Sequence, residues 1–422
     1  MATNNNDKTL NVPHLRFPEF TGEWEKCKVS ELLDFYSTNS LSWEQLEYGT
    51  KAMINLHYGL IHVGLPTMVD LTRDRLPNVK KGNMPKNFEL CKEGDIAFAD
   101  ASEDTNEVAK AVEFFDLDRK DVVCGLHTIH GRDNSNQTVI GYKGYAFASY
   151  SFHKQIRRIA QGTKVFSISV RNFDEVYIGV PSKEEQTKIA KLLIAIDERI
   201  ATQNKIIEDL KKLKSAIMVE VFGRSNDHTK EIWHNVKLGD ICERITQRNI
   251  NNASTLVLTI AAQYGLVSQT DFFNKSIAST DLSNYYLLRN GDFAYNKSYS
   301  GEYSWGTVKR LDLYSEGVLS PLYICFRPIE DVIDSDFLIY LFESKCWYRK
   351  VSEICVEGAR NHGLLNVSVT DFFNMKLQIP ELSEQKRIAQ RMKSFTDKLE
   401  QYCQLLSLYN AQKKYLLSQM FI

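Results

Sequence analysis

PSKEEQTKIAKLLIAIDERI at 181–200 and PELSEQKRIAQRMKSFTDKL at 380–399 are one segment written twice. At an ungapped offset of 199, Pro181 falls on Pro380, Gln186 on Gln385, and Ile189-Ala190 on Ile388-Ala389. The match continues to Lys214 over Lys413 and Phe222 over Phe421, and upstream Ile168-Ser169-Val170 meets Val367-Ser368-Val369. Weaker echoes lie further back. Glu23-Trp24 and Lys28 recur as Ile232-Trp233 and Lys237, and Gly94-Asp95 recurs as Gly291-Asp292. Between these landmarks the halves diverge almost completely. The chain is a duplication, and such a repeat organises everything else. It divides into an N-terminal arm (1–22), a variable module (23–180), a helix (181–222), a linker (223–231), a second variable module (232–379) and a second helix (380–422).

Neither helical segment contains Gly or Pro after its start, and both open on a proline followed by Ser and Glu, which suits a helix N-terminus. Alternating steps of four and three from Ile189 pass through Leu193, Ile196, Ile200, Ile207, Leu210, Ile217 and Val221. The matching register from Ile388 passes through Met392, Phe395, Leu399, Tyr402, Leu406, Tyr409, Leu416 and Met420. This is a coiled-coil seam held for about five heptads, a rod of roughly 60 Å at 1.5 Å per residue. Two equivalent seams in one chain are expected to pair with each other, antiparallel, so that residues near 189 meet those near 416–420. Lys214 and Lys413 break the seams at equivalent places and read as lysines whose stems lie along apolar surface, or as contacts to a partner.

The modules read as α+β, with a twisted, mainly antiparallel sheet. GYAFASYSF, VFSISV and EVYIGVP in the first, and STLVLTIAA, PLYICF and VSVTDF in the second, have strand-like composition. Residues 336–355 read as helix. The first module carries 19 Lys+Arg against 22 Asp+Glu and the second 14 against 16, so a nucleic-acid face on either must be a local cluster of cations. Candidates are the basic turn Lys80-Lys81-Gly82, His127 and Arg132 around a predicted strand, and Lys164 in a Gly-containing loop. In the second module they are Lys297, Tyr303 and Arg310, and Arg360 with His362 in the loop GARNHG. These side chains are of the kinds that reach phosphates and base edges. The acidic cluster at Asp100, Glu103 and Asp104 reads as a loop.

The 422 residues, 43% hydrophobic and 25% charged, have the composition of an ordinary globular protein of two to four domains. No apolar run is long enough to span a membrane, and the opening MATNNNDKTLN lacks the layout of a signal peptide. Eight scattered cysteines without a CxxC pair read as reduced thiols, and a cytoplasmic location is expected. Cys124, His127 and His130 have no nearby fourth ligand and read as a strand of alternating exposure, not as a metal site. Phosphate-binding loops, dinucleotide fingerprints, the Asn/Asp-Pro-Pro-aromatic tetrapeptide of amino-methyltransferases and the nucleophile elbow are all missing. No catalytic residue is assigned.

Taken whole, the chain resembles the specificity subunit of type I restriction–modification enzymes. VPHLRFPEFTGEWEKCKVSELL (12–33) is similar to that family's N-terminal signature, and the two quoted helical segments to its helical regions. DIAFADASEDTNEVAKAVEF (95–114) and FAYNKSYSGEYSWGTVKRL (293–311) look like segments of its target-recognition domains. The resemblance implies two pseudo-two-fold-related α/β target-recognition domains joined by two long antiparallel coiled-coil helices. Each domain would read half of a bipartite, asymmetric double-stranded DNA site, with the helices fixing the gap. Two methyltransferase subunits would dock on the helices and restriction subunits outside them. S-adenosylmethionine, ATP and Mg would belong to those partners, and this chain would hold no cofactor. The competing expectation is a coiled-coil interaction scaffold that does not read DNA.

Overall fold

The structure is a computed structural model and describes residues 11–223, 233–261, 264–273, 281–298, 303–355 and 365–422. The chain forms two compact units. One runs to Lys205 and takes in Gln404–Ile422; the other is Ile206–Cys403. The two repeats are helices of 40 and 38 residues, Lys183–Phe222 and Leu382–Gln419. None of the seam positions is exposed, which is the heptad reading made physical.

Each long helix begins in its own unit and ends in the other. In the first unit, Ile189, Leu193 and Ile196 share a core with Leu416, Met420 and Phe421. In the second, Met218 and Phe222 share a core with Ile388, Ala389 and Met392. The start of one helix thus packs with the end of the other inside each unit, the antiparallel sense expected from the sequence.

The repeated Pro-x4-Gln explains itself at the helix starts. Gln186 is fully buried, and its Nε2 donates to the carbonyls of Pro181 (2.8 Å) and Gln137 (3.1 Å) while its Oε1 accepts from the Val139 amide (2.9 Å). Gln385 does the same work with Pro380 (2.9 Å), Val332 (3.3 Å) and the Asp334 amide (2.8 Å). An amide side chain is needed because the site presents both carbonyls and an N–H. Glu185, also buried, takes a two-point ion pair from Arg16 at 2.8 Å, which fastens the N-terminal arm to the first helix.

Each module opens and closes on one antiparallel pair, Glu25–Lys28 with Tyr177–Val180 and His234–Lys237 with Lys376–Ile379. Both central sheets keep one order of strands. In the first, Asp34–Tyr36, Thr128–Arg132, Ile96–Ala99 and Ala111–Asp116 are neighbours, with Met68–Asp70 added at the edge. In the second the order is Cys242–Arg244, Ile324–Pro328, Phe293–Asn296 and Thr307–Arg310. Among the described strands, pairing is antiparallel except where Met68–Asp70 meets Ala111–Asp116 and Val122–Cys124 meets Ile54–Leu56.

Three local expectations are corrected. GYAFASYSF is helical, Tyr142–Phe147 followed by Tyr150–Ile159, because Ser149 caps the second helix through the Phe152 amide. Every residue of Tyr142–Phe147 is buried, so no polar face remained to show a helical period. VSVTDF becomes the helix Val369–Asn374, capped by Ser368 through the Asp371 amide. The stretch 336–355 is two helices, Ser335–Glu343 and Tyr348–Ile354, separated where Lys345 adopts φ 60°.

Two measurements probe this framework. Gln385→Ala leaves the Asp334 amide and Pro380 carbonyl unpaired, and should lower the stability of the second unit by about 2 kcal/mol in chemical denaturation. Burial, reinforced by Arg157, pulls the His153 imidazole down to about 4, so it is neutral in the folded chain and protonates on unfolding at the ordinary value of 6.5. Its contribution is therefore whole above pH 6.5 and lost progressively as pH falls towards 4. Wild type should lose about 2 kcal/mol more than His153→Gln between pH 7 and pH 5.

Candidate nucleic-acid interface

The Gly-Asp echo marks one device built twice. Gly94 and Gly291 turn the chain at φ 86° and 90°, and the following aspartate enters a central strand fully buried. Asp95 accepts from the Lys92 amide (2.8 Å) and Asp292 from the Arg289 amide (2.7 Å). Each then holds an arginine of the neighbouring strand. Arg132 reaches Asp95 through Nε (2.9 Å) and Nη2 (2.8 Å), and Arg327 reaches Asp292 at 2.6 and 2.8 Å. Arg132 also binds Glu89 (2.6 Å) and the Leu90 carbonyl (2.7 Å) and lies over the Tyr36 ring. The sequence offered Arg132 as a DNA contact. That is corrected here: its side chain is only 8% exposed and its donors are committed within the module.

The other candidates are scattered. Lys81 and Lys164 are exposed, while Lys80 is half-buried and donates to the Glu44 carbonyl at 2.6 Å. His127 is exposed at φ 53° on the turn between Val122–Cys124 and Thr128–Arg132, with Nδ1 3.1 Å from Asp100. Asp100, read as a mere loop residue, thus orients it. The single alternating strand expected through Cys124, His127 and His130 is corrected: Val122–Cys124 and Thr128–Arg132 are separate strands of different sheets, both wholly buried, with His127 on the turn between them. Lys297 is half-buried, and its carbonyl accepts from the Leu365 amide. Arg360 and His362 lie outside the described residues.

Tyr303 and Arg310 are brought together in a cleft of about 700 Å³ in the second unit, with Tyr264, Lys309, Lys345 and Tyr348. Tyr264 is 68% exposed at its rim, and the Lys345 ammonium sits 5.2 Å from the Tyr303 ring centre. Burial lowers the Lys309 ammonium from its ordinary value. Arg310 is a wall of this cleft, not a free cation: Asp312 (2.6 Å), Asp336 (2.8 Å) and the Ser335 hydroxyl (2.8 Å) hold its guanidinium.

The sequence reading missed a cleft in the first unit, at a different place in the module. About 790 Å³ in volume, it is lined by Lys51, Arg75, Arg119 and Lys120 with Asp74 and Asp121. Lys120 is spent on Asp118 and the Leu71 carbonyl, both at 2.8 Å. Lys51, Arg75 and Arg119 are exposed, and Arg119 stands at φ 55° on the tip of a tight turn. Lys51 stands alone between Thr50 and Ala52, and Asp74, Asp118 and Asp121 offset Arg75 and the Arg119-Lys120 pair, so no net basic run marked them. The seam lysines are internal as well. Lys214 pairs with Glu343 (2.9 Å) beside the Tyr340 ring, and Lys413 with Asp197 (2.6 Å) beside the Tyr145 ring.

A duplicated α+β framework with different clefts on each copy is the organisation of a two-module recognition chain, and comparison with known proteins places it. Residues 75–212 and 230–406, more than half of the chain, match the type I restriction modification DNA specificity domain, and the chain belongs to that family. A specificity subunit of the Methanocaldococcus jannaschii type I restriction enzyme MjaVIII is 25% identical over 281 residues, which is 61% of this chain and 64% of that protein. The chain thus spans just under two thirds of that relative. The putative MjaX specificity subunit of the same organism is 22% identical over 414 residues, 93% of this chain and 91% of the relative. The crystal structure of a type I restriction–modification S subunit from M. genitalium superposes with a TM-score of 0.56 at 16% identity, covering 97% of this chain and 99% of that one. A chain from a type I R-M assembly gives 0.56 at 14% identity, with 93% and 96% covered. Among the described residues, no helix is long and apolar enough to cross a membrane.

The two kinds of arginine separate cleanly by stability. Arg132→Ala leaves Asp95 buried beside a lost partner and should cost about 3–5 kcal/mol, whereas Arg119→Ala should stay within about 0.5 kcal/mol of wild type. Urea titrations of both variants check this.

Proposed function

We propose that this chain is the DNA-specificity subunit of a type I restriction–modification assembly, each module reading one part of a bipartite, asymmetric site. The observation that carries the reading is one framework, with its Gln anchor and Asp–Arg clamp, built twice in modules whose clefts are lined by dissimilar side chains. A framework kept constant while the surfaces differ suits two separate readouts, and it supports DNA reading over a scaffold role. Exposed cations at the first cleft provide phosphate contacts, and base edges supply sequence.

In this reading the chain performs no catalytic step and holds none of the reaction's cofactors. Two methyltransferase subunits dock on the long helices and use S-adenosylmethionine to methylate adenine N6, and restriction subunits bound outside them use ATP and Mg. With module charges near neutral, phosphate affinity comes largely from these partners, and the isolated chain binds DNA weakly.

Methylation mapping of the host genome with the gene intact and deleted is the direct test. Deletion should erase one bipartite N6-methyladenine motif; an unchanged methylome in cells expressing the methyltransferase subunits would refute the assignment. Within the assembled complex, Lys51→Ala, Arg75→Ala and Arg119→Ala together should weaken binding and reduce the salt dependence by up to about three counterions, without changing the part of the site read by the second module.

A further inference from the structure

The Asp95–Arg132 clamp of the first unit borders a group of side chains that the DNA reading does not use. Cys91 precedes the Gly94 turn, Cys124 ends the strand Val122–Cys124, and His130 lies in the strand Thr128–Arg132. All three are buried, and their ligand-capable atoms lie within 4.8 Å of one another. The two sulfurs are 3.6 Å apart. A disulfide would need about 2.05 Å, whereas two thiolates on one tetrahedral zinc at 2.3 Å bonds stand about 3.8 Å apart.

The histidine supplies the independent observation. His130 Nε2 is 2.7 Å from the Asp95 carboxylate. A carboxylate only accepts, so Nε2 carries a proton, and in the neutral imidazole Nδ1 presents its lone pair. That Nδ1 is buried in a fully enclosed residue and has no hydrogen-bond partner. A thiol pair sharing one proton accounts for the contact between the sulfurs but leaves this nitrogen unanswered. A carboxylate that fixes the tautomer and ring of a metal-binding histidine is the usual outer support of zinc sites.

We propose that Cys91 Sγ, Cys124 Sγ and His130 Nδ1 form a zinc site, with a water molecule completing the tetrahedron. Asp95 orients the histidine, and Arg132 balances the charge of Asp95 from the other side. The ion ties the segment before Gly94, the strand Val122–Cys124 and the strand Thr128–Arg132, which belong to two different sheets. It thereby brackets the turn that carries His127. Among the described residues the second unit has no such group: the strand position matching His130, two before the clamp arginine, is Cys325. The role is structural and does not depend on whether the chain reads DNA.

Metal analysis of the full chain, purified under reducing conditions without chelator, tests the site. About one zinc per chain should survive dialysis and be released when thiols are titrated with an organomercurial. Cobalt-loaded wild-type protein should show thiolate-to-cobalt charge transfer with the visible bands of a tetrahedral ion. Cys91→Ser and Cys124→Ser should each lose the metal, and Cys403→Ser, on an exposed helix position, should keep it. The wild-type spectra stand even if the serine variants fail to fold. Absence of both zinc and the cobalt spectrum in wild type, a Cys91–Cys124 disulfide in its place, or zinc retained by both serine variants would overturn the proposal.

Discussion

Everything in this protein rests on the burial of the two helical seams, because each unit's core is closed by the far end of the helix that starts in the other half of the sequence. Leu416, Met420 and Phe421 sit among the aromatic residues of the first unit, and Met218 and Phe222 among those of the second. Non-directional apolar burial supplies the driving force, while polar groups set the register. Gln186 and Gln385 tie each helix start to its own module through three hydrogen bonds apiece. Lys413–Asp197 and Lys214–Glu343 fix the arriving ends. The features that recur between the halves are those that do this fixing, and what diverges is free of it.

The buried aspartate–arginine pairs show the same division inside the modules. A guanidinium offers a planar fork that meets a carboxylate with two bonds, and the turn glycine lets the aspartate enter its strand already hydrogen-bonded to the amide three residues back. Such a pair is costly to bury and more costly to break. It acts as a fixed point from which loops of unrelated sequence can leave. The clefts on the two units then differ in lining, one with exposed lysine and arginines and the other with aromatic side chains around Arg310 and Lys214, which are already paired to acids.

The sequence was most legible where a period repeated. Two seams of ten positions predicted both helices, because a heptad pattern averages over many residues, and their opposite sense was the expectation drawn from the duplication. Short segments were less legible. Tyr142–Phe147 is buried on all sides and looked like a strand, and Val369–Asn374 took its form from one serine cap. The site was legible least of all. Arg132 and Arg310 look the same in sequence as Arg119, yet the first two are held by carboxylates distant or near in the chain and only the last is left in water. Proximity in three dimensions, which local composition does not encode, decides which cation is available.

The closure of the first unit by Gln404–Ile422 also sets an order of events during synthesis. The module translated first cannot complete its core until Gln404–Ile422 have been made, while the second unit already has all of its own by Cys403. A nascent chain therefore carries an open apolar seam on its oldest part for most of its translation, the interval in which exposed surface of this kind is prone to aggregation. For the same reason, a stop codon before Leu416 would damage the module built from the first half of the sequence.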